Sequence, residues 1–527
     1  MDSITSHLEP HRLLGVALSI LIVYRIHMVL QRGNSFAGLP IRVFPFAPYR
    51  PPGVLLPCFR FNPGIEYPWK FRKDLYQGKT GTFAALALFF CNDVFLFTRD
   101  LRVIRQATGP GRVWGKDESF ALAENFPSSA ANVATAEDEE HTRHRRIMSP
   151  AFNDELYRDV WAQGVKKFGE LSNFASWTTS TCVTIEDFQN FTSKFTLSIM
   201  AKAGFDIDLP WEALAETKKD DAVANIWEVF EIVGANVITA CVLPSWAEYL
   251  PVKLLKNIFR CRRKLREILG DAITKRQTSS RLLAQTGKRD ILTHILQANG
   301  SNTYGTKLND DEVMSNTFVM FLTGHETSAT ALAVIIGWLA LHQKLQETLY
   351  TAINSVLIDG RPPTFDDYGS LKPVLDCIME SLRLLPIAPI ILREAKENTI
   401  LTIPERTKPL VVPKGTMLVG DLTGLNYDPD KYPDPERFDP SRWSSKSELT
   451  MEDYIAFGLG IHACLGRKFA LHEMVCFLTL LVRGWQIQPI LKDGETDEGW
   501  RKRVMEDNMH VGISTGPRVV PVTLIRR

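Results

Sequence analysis

The order of apolar and polar positions divides the chain into three parts. From Leu13 to Tyr24 the sequence LLGVALSILIVY is almost wholly apolar, and IHMVL extends it past Arg25. A single membrane span needs about 20 mainly apolar residues. Arg25 and His27 fall near the end of the run, where a long side chain reaches the interface. No small-x-small cleavage site follows, so the pattern predicts an anchor over residues 1–32 rather than a cleaved leader. Next comes FPFAPYRPPG, Phe44 to Gly53, within a proline-rich stretch read as a stiff linker over 33–59. The remainder, 60–527, is a body in which helical spacing dominates beyond about Phe120, with clear examples at Asp154–Ala175 and Ile258–Lys275. Strand-like runs are short: TFAALALFF near Thr82, LVVP near Leu410, MLVG near Met417 and RVVPVTLIR at the end. No strand–helix alternation of the doubly wound kind is present. The pattern predicts a mainly α fold with small β-sheets at one side.

Asn309 to about His342 predicts one long helix, capped by Asn309 and with acids in its first turn. At 1.5 Å per residue such a helix spans roughly 50 Å. Its centre, FVMFLTGHETSATALAVIIGW, drops Thr323, Gly324, His325, Glu326, Thr327 and Ser328 into apolar surroundings. Buried polar groups are costly unless partnered. Two readings stand: hydroxyls bonding back to the preceding turn, or a local bend with a small cavity.

Composition narrows the class. The 527 residues are 45% hydrophobic and 23% charged, ordinary for a globular chain, and the formal net charge of +1 gives no hint of nucleic-acid binding. The eight cysteines are scattered, with no C-x-x-C pair, which argues against a disulfide framework or a zinc site and fits a reducing compartment. Two Arg residues, Arg25 and Arg32, follow the apolar run and only Arg12 precedes it closely, so the positive-inside rule puts the body in the cytosol.

One cysteine stands apart. In FGLGIHACLGRKFALHE, Phe457 to Glu473, Cys464 sits among glycines just before a helical pattern. The glycine spacing fails the dinucleotide fingerprint. Glycines let the backbone turn tightly and approach something large and flat. A helix N-terminus favours the thiolate, and a solitary thiolate in a tight loop is one way to ligate haem iron. On spacing alone, a small buried core cysteine is an equal reading.

The run Phe457-x-x-Gly460-x-His462-x-Cys464-x-Gly466 resembles the haem-binding signature of the cytochrome P450 family, F-x-x-G-x-R/H-x-C-x-G, at every fixed position. The resemblance implies the P450 fold around a buried haem b, preceded by one transmembrane helix, with Cys464 as the axial iron ligand. Phe457 and Gly458 would lie near the sulfur and His462 would face a haem propionate. Further segments occur in the family's order. ESLR supplies Glu380 and Arg383 on one helical face; read without the family, they are an ion pair. In the family this pair locks to an arginine of the second proline–aromatic phrase before the cysteine loop. That arginine is Arg442 of Pro440-Ser441-Arg442-Trp443, and Arg437, within the literal P-E-R-F, is a decoy. EEHTRHRRIMSPAF, Glu139 to Phe152, resembles the family's helix C, which implies that His141 and Arg145 point to propionates while Arg143 and Arg146 point outward. Asp138 stands where many relatives have Gly. Arg393 matches a further propionate position.

The TGHETS stretch resembles the family's A/G-G-x-D/E-T-T/S motif, with Thr323 in place of a small residue. The resemblance implies that Gly324 leaves room for dioxygen, that Thr327 holds a water and that Glu326 feeds protons from the solvent side. It further implies a monooxygenase that hydroxylates or epoxidises a hydrophobic small molecule. The stretch after Cys464 leaves no room for a flavin domain, so electrons are expected from NADPH–cytochrome P450 reductase, met by Arg143, Arg146, Arg467 and Lys468 and held with this chain in the endoplasmic reticulum membrane. Pocket walls are expected to include Thr323, Ile387, Ile391 and Ile513. Val242 to Leu255 is read equally as a lipid-dipping segment or an ordinary packed loop. The motif wording is most similar to fungal membrane-bound members, which often serve secondary metabolism, terpenoids included. The alternatives are a peroxide-driven peroxygenase or haem isomerase, and, from another class, a non-catalytic haem protein.

Overall fold

The computed structural model describes residues 10–50, 53–54, 56–59, 61–76, 80–109, 111–116, 130–174, 177–211, 229, 232–234, 236, 245–283, 290–300, 307–444, 454–511 and 514–527. The fold is mainly helical with four small sheets, and it separates into two units.

One unit comprises Met1–Asp117, Pro389–Pro435 and Leu459–Ile461. It opens with helix α1, Pro10–Ser35. Strands β1 (Ile41–Phe44), β2 (Thr82–Ala87), β3 (Val94–Thr98), β4 (Trp114–Gly115), β6 (Ile390–Ala395) and β9 (Met417–Asp421) form a mixed sheet in the order β1-β2-β3-β9-β6-β4. The outer pair β1–β2 and the inner pair β3–β9 are parallel, and the other pairings are antiparallel. β7 (Thr399–Leu401) and β8 (Leu410–Val412) pair separately. Both faces of the large sheet are buried. Leu86, Leu96 and Leu418 lie in one core cluster; Phe83, Phe97 and Val419 lie in the other.

Two expectations for the N-terminus meet a different arrangement. The part of α1 from Leu14 to Tyr24 is exposed and apolar, and Leu14–Ser35 is long and apolar enough to cross a membrane. Its C-terminal part is packed along one side. Arg25 donates to the carbonyls of Leu88 and Cys91, both at 2.7 Å, and Val29 and Phe36 join the core under the sheet. The stretch read as a linker contains β1, and Ala47 and Tyr49 are core residues. Its prolines flank the strand without interrupting it, so four residues are free to pair.

The other unit comprises Glu118–Ala388, Glu436–Gly458 and His462–Arg527. Its principal helices are α2 (Asp138–Met148), α3 (Asp154–Phe174), α4 (Phe188–Ile199), α5 (Lys253–Leu283), α6 (Asp310–Leu341), α7 (Lys372–Leu384) and α8 (Arg467–Gly484). β5 (Cys182–Ile185), β10 (Trp485–Pro489) and β13 (Val522–Arg526) make a three-stranded sheet, and β11 (Met509–Val511) with β12 (Thr515–Pro517) a hairpin. Asn309 caps α6 through a reciprocal box with Glu312.

α6 is the axis of this unit, buried along most of its length. The Thr192 and Thr196 hydroxyls of α4 donate to its Ala329 and His325 carbonyls, each at 2.9 Å. Gly324 serves this packing: a β-carbon there would come within 2.8 Å of the Met200 methyl. The space beside the Gly324 α-carbon is therefore occupied by Met200. Asp138 has φ +47°, the left-handed region where Gly is at ease and Asp is among the better-tolerated alternatives.

A cysteine loop, a carboxylate cluster and a poised acid

The cysteine loop is built from two close turns. Gly458 and Gly460 have φ of +76° and +66°, and a β-carbon on Gly460 would lie 2.1 Å from the Thr108 carbonyl oxygen, so only glycine fits. The Cys464 N–H donates to the Phe457 carbonyl at 2.8 Å, closing the loop just before α8. Cys464 presents open surface although protein atoms crowd around its sulfur, the geometry of a group lining a recess. Burial pushes its thiol up in pKa; the Gly466 N–H, Arg145 and Arg467 pull the other way without reversing it. The expected thiolate is thus not held by the helix terminus alone. A metal bound to the sulfur would hold it, because coordination deprotonates a thiol outright.

Three further contacts involve the loop. Arg145 of α2 donates to the Ala463 carbonyl at 2.9 Å. The His141 and His462 rings lie 4.0 Å apart. The Arg467 guanidinium lies 5.9 Å from the centre of the Phe457 ring. A soft sulfur with two guanidinium groups acting on it, and an imidazole pair between the same loop and α2, match an iron porphyrin bearing carboxylates, so these residues fit a haem. Arg393 lies on β6, opposite Leu418 of β9, and donates to the Leu392 carbonyl at 2.7 Å.

Arg143 departs from its expected outward position. It forms a two-pronged pair with Glu312 at 2.5 and 2.8 Å, tying α2 to the start of α6. His144 and Glu140 complete a cluster of metal-ligand types with Glu312. Asn316 Oδ1 accepts the Val133 N–H, so its amide group donates to His144 Nδ1 at 2.8 Å. The proton on His144 then sits on Nε2, 3.7 Å from Glu312, so in this tautomer the imidazole offers no lone pair to a cation.

The carboxylate cluster centres on Glu380 of α7. Arg383 donates to both its oxygens at 2.8 Å, the Asp439 N–H and Trp443 Nε1 each donate at 3.0 Å, and Arg442 Nε stands at 3.3 Å. Arg437 contributes only its backbone carbonyl, to Arg383; its side chain is 69% exposed.

On α6 most of the polar stretch bonds back to the preceding turn. Thr323 donates to Val319 O at 2.6 Å, Thr327 to Thr323 O at 2.7 Å and His325 Nδ1 to Phe321 O at 2.8 Å. Burial pushes His325 down to about 4, so it is neutral. Glu326 differs. Its Oε1 accepts from the Ser514 hydroxyl at 3.1 Å, while Oε2 is buried without a partner among the described residues. Burial raises its pKa to about 7 against the pull of Ser514. Ser514 falls in the Ile513–Thr515 stretch expected to line the pocket, but its bond to Glu326 was not foreseen, and Glu473 of α8 was missed altogether. Glu473 is fully buried and pushed up to about 8 by desolvation, with the Ser328 hydroxyl favouring its ionised form, although neither oxygen holds a bond of ordinary geometry among the described residues. Of the expected pocket residues, Thr323 is on α6, the Ile387 carbonyl accepts the Thr515 N–H at 2.8 Å, Ile391 pairs with Gly420 on β6, and Ile513 lies outside the described residues.

The family model for cytochrome P450 matches residues 88–506. The chain is 30% identical over 407 residues to cytochrome P450 monooxygenase 124 of the fungus Postia placenta, covering 75% of this chain and 77% of that protein. It is 28% identical over 394 residues to the cyclooctat-9-en-7-ol 5-monooxygenase of Streptomyces melanosporofaciens, covering 74% and 79%. The crystal structure of a cytochrome P450, CYP102L1, matches the fold with a TM-score of 0.69 at 21% identity, over 86% of this chain and 97% of that one. With a sulfur loop suited to haem, and a family match over most of its length, the chain belongs to the cytochrome P450 family of monooxygenases.

Proposed function

We propose that this P450 is a membrane-anchored haem-thiolate monooxygenase that hydroxylates or epoxidises a hydrophobic, terpenoid-like small molecule with electrons from NADPH–cytochrome P450 reductase. The observation that carries the reading is the Cys464 loop, where one thiol lies within reach of Arg145 and Arg467 and the loop's own His462 stacks near His141. Cys464 would ligate the iron of haem b; Arg145, His141, His462 and Arg393 would receive its propionates. When bound, the haem supplies the activation of dioxygen. The remaining chemistry belongs to the chain. Glu326, with its pKa near 7, gains and loses a proton at working pH, as a general acid–base group should. Thr327 spends its only proton on Thr323 O, so its oxygen is left to accept a hydrogen bond from a water and hold it in place. Glu380, Arg383 and Arg442 keep the structural task.

The exposed apolar part of α1, Leu14 to Tyr24, supports a single-pass anchor, with the body on the cytosolic face of the endoplasmic reticulum. Trp246 and Tyr249, 62% and 86% exposed, support contact of the 245–255 segment with lipid. With Arg143 neutralised by Glu312, the exposed Arg146 and Lys468 remain for an acidic reductase surface. The substrate class draws on the Streptomyces relative, whose name gives an unsaturated alcohol as substrate.

The test has two arms. Cys464→Ser should abolish the red-shifted band of the reduced carbon monoxide complex, and survival of that band refutes the ligand. Incubation with hydrophobic carbocyclic compounds should give an oxygenated product only with both NADPH and reductase. Turnover with peroxide alone would instead favour the peroxygenase.

A further inference from the structure

Glu326 is gripped from one place. The β11–β12 hairpin turns between Val511 and Thr515, which pair in register. Ser514, the last residue of that turn, is buried and donates its hydroxyl to Glu326 Oε1 at 3.1 Å. Thr330, one turn further along α6, lies 2.9 Å from the same Ser514 hydroxyl. Since Ser514 gives its proton to the carboxylate, Thr330 must donate to Ser514, and the hydroxyl cannot rotate away without breaking two bonds. The hairpin is seated in turn: a β-carbon on Gly516 would lie 2.2 Å from the Thr330 methyl, and the Thr515 N–H is held by Ile387 O. The next wall, at Gly234, would place a β-carbon 3.1 Å from Glu326 Oε2. Burial aside, Ser514 is the one influence on this carboxyl, through its hydroxyl and its N–H; no charged side chain of α4, α6, the 232–234 segment or the hairpin acts on it among the described residues.

We propose that Ser514 is the positioning residue for Glu326, holding Oε1 against the β11–β12 hairpin so that the free Oε2 presents the exchangeable proton. The proposal rests on the reading of Glu326 as the proton-handling group. It makes the hairpin the part of the fold that aims the acid. A substrate that shifts this turn would then act on proton delivery directly.

The test uses the holoenzyme with infrared difference spectroscopy across pH. The Glu326 carboxylic-acid band is identified as the one lost in Glu326→Gln. In Ser514→Ala, loss of a donor that favours the ionised form should raise the pH at which this band titrates by about one unit. Product per NADPH should fall roughly threefold to tenfold near neutral pH. Ser514→Thr, which restores a hydroxyl, should return both toward wild type. The proposal is overturned if the band titrates at the wild-type pH in Ser514→Ala, or if Ser514→Thr behaves like Ser514→Ala. Failure of the underlying reading is distinct: Glu326→Gln would then turn over like wild type, although the infrared shift in Ser514→Ala would persist.

Discussion

Glu380 and Glu326 are carboxylates on apolar helices of the same unit, and they are treated in opposite ways. Every oxygen lone pair of Glu380 is met: a forked Arg383, a backbone N–H, an indole N–H and Arg442 converge on it. Glu326 has one hydroxyl and one N–H from a single residue, and one bare oxygen. The saturated carboxylate of Glu380 ties α7 to the Asp439–Trp443 segment. An undersatisfied one is destabilised as an anion and so exchanges its proton near neutrality. Occupancy of lone pairs, more than burial, separates the structural acid from the chemical one.

The largest effect should come from emptying the saturated site. Glu380→Ala leaves Arg383, 1% exposed, as an uncompensated charge in the core. Breaking one side of a buried pair costs about 3–5 kcal/mol. We expect a matching loss in the denaturant midpoint, together with poor haem retention. A variant that melts within 1 kcal/mol of wild type would show that water or another anion can replace the carboxylate, and the comparison would lose its structural half.

Glu326 should behave in the reverse sense. Its folded pKa of about 7 lies above the ordinary 4.5, so the folded protein binds the proton more tightly than the unfolded chain. Stability contributed by the neutral acid is full below pH 4.5 and is lost as pH rises to about 7, with no further change above. The span corresponds to at most on the order of 3 kcal/mol. Glu326→Gln should abolish this part of the slope and be the more stable protein at pH 8, while slowing NADPH-supported turnover. Denaturant midpoints at pH 5 and pH 8 measure it; identical slopes in the two proteins would rule out the raised pKa. Glu473 and Asp421, also raised by burial, contribute slopes of the same sign in both proteins and cancel in the difference.

What could be read in the sequence follows the same division. The Glu380 cluster was legible because its partners are written locally: E-x-x-R on one helical face, and a repeated proline phrase that picks Arg442 over Arg437. The cysteine loop was legible through its glycines, and α6 through its Asn309 cap. The partners of single side chains were not. Arg143 finds Glu312 169 positions away and Glu326 finds Ser514 188 away, with no spacing to announce either. Gly324 was legible as a glycine but not as the seat of Met200, because a missing side chain does not name its neighbour. β1 was hidden by its prolines, and the docked end of α1 by the apolar run it shares with the exposed end.

Thr327, next to Glu326 on α6, has its donor used and its acceptor open among the described residues. Thr327→Ala removes the acceptor while Thr323 O keeps its own helical environment, so the helix and the pocket volume change little. NADPH consumption should continue while product per NADPH falls roughly tenfold to a few hundredfold and hydrogen peroxide rises, within the range of a positioned acid–base group. Unchanged coupling would reduce the hydroxyl to a helix back-bond and move attention to Ser328.

The smallest effect should fall on Arg437, and it is the most discriminating for the saturated site. Arg437 sits two residues before Asp439, whose N–H reaches Glu380, and its carbonyl accepts from Arg383 at 3.2 Å. Among the described residues its side chain reaches only Asp439, at 3.8 Å, and it is mostly in solvent. Surface pairs of this kind contribute about 0–1 kcal/mol, and Ala leaves the carbonyl in place. Arg437→Ala should therefore lie within about 0.5 kcal/mol of wild type. Arg442→Ala removes a half of the cluster's charge balance and should cost several times more. Thermal melts of the two single variants decide it. If Arg437→Ala were the more damaging, the cluster would depend on a guanidinium that stands outside it, and the lone-pair count at Glu380 would no longer explain its stability.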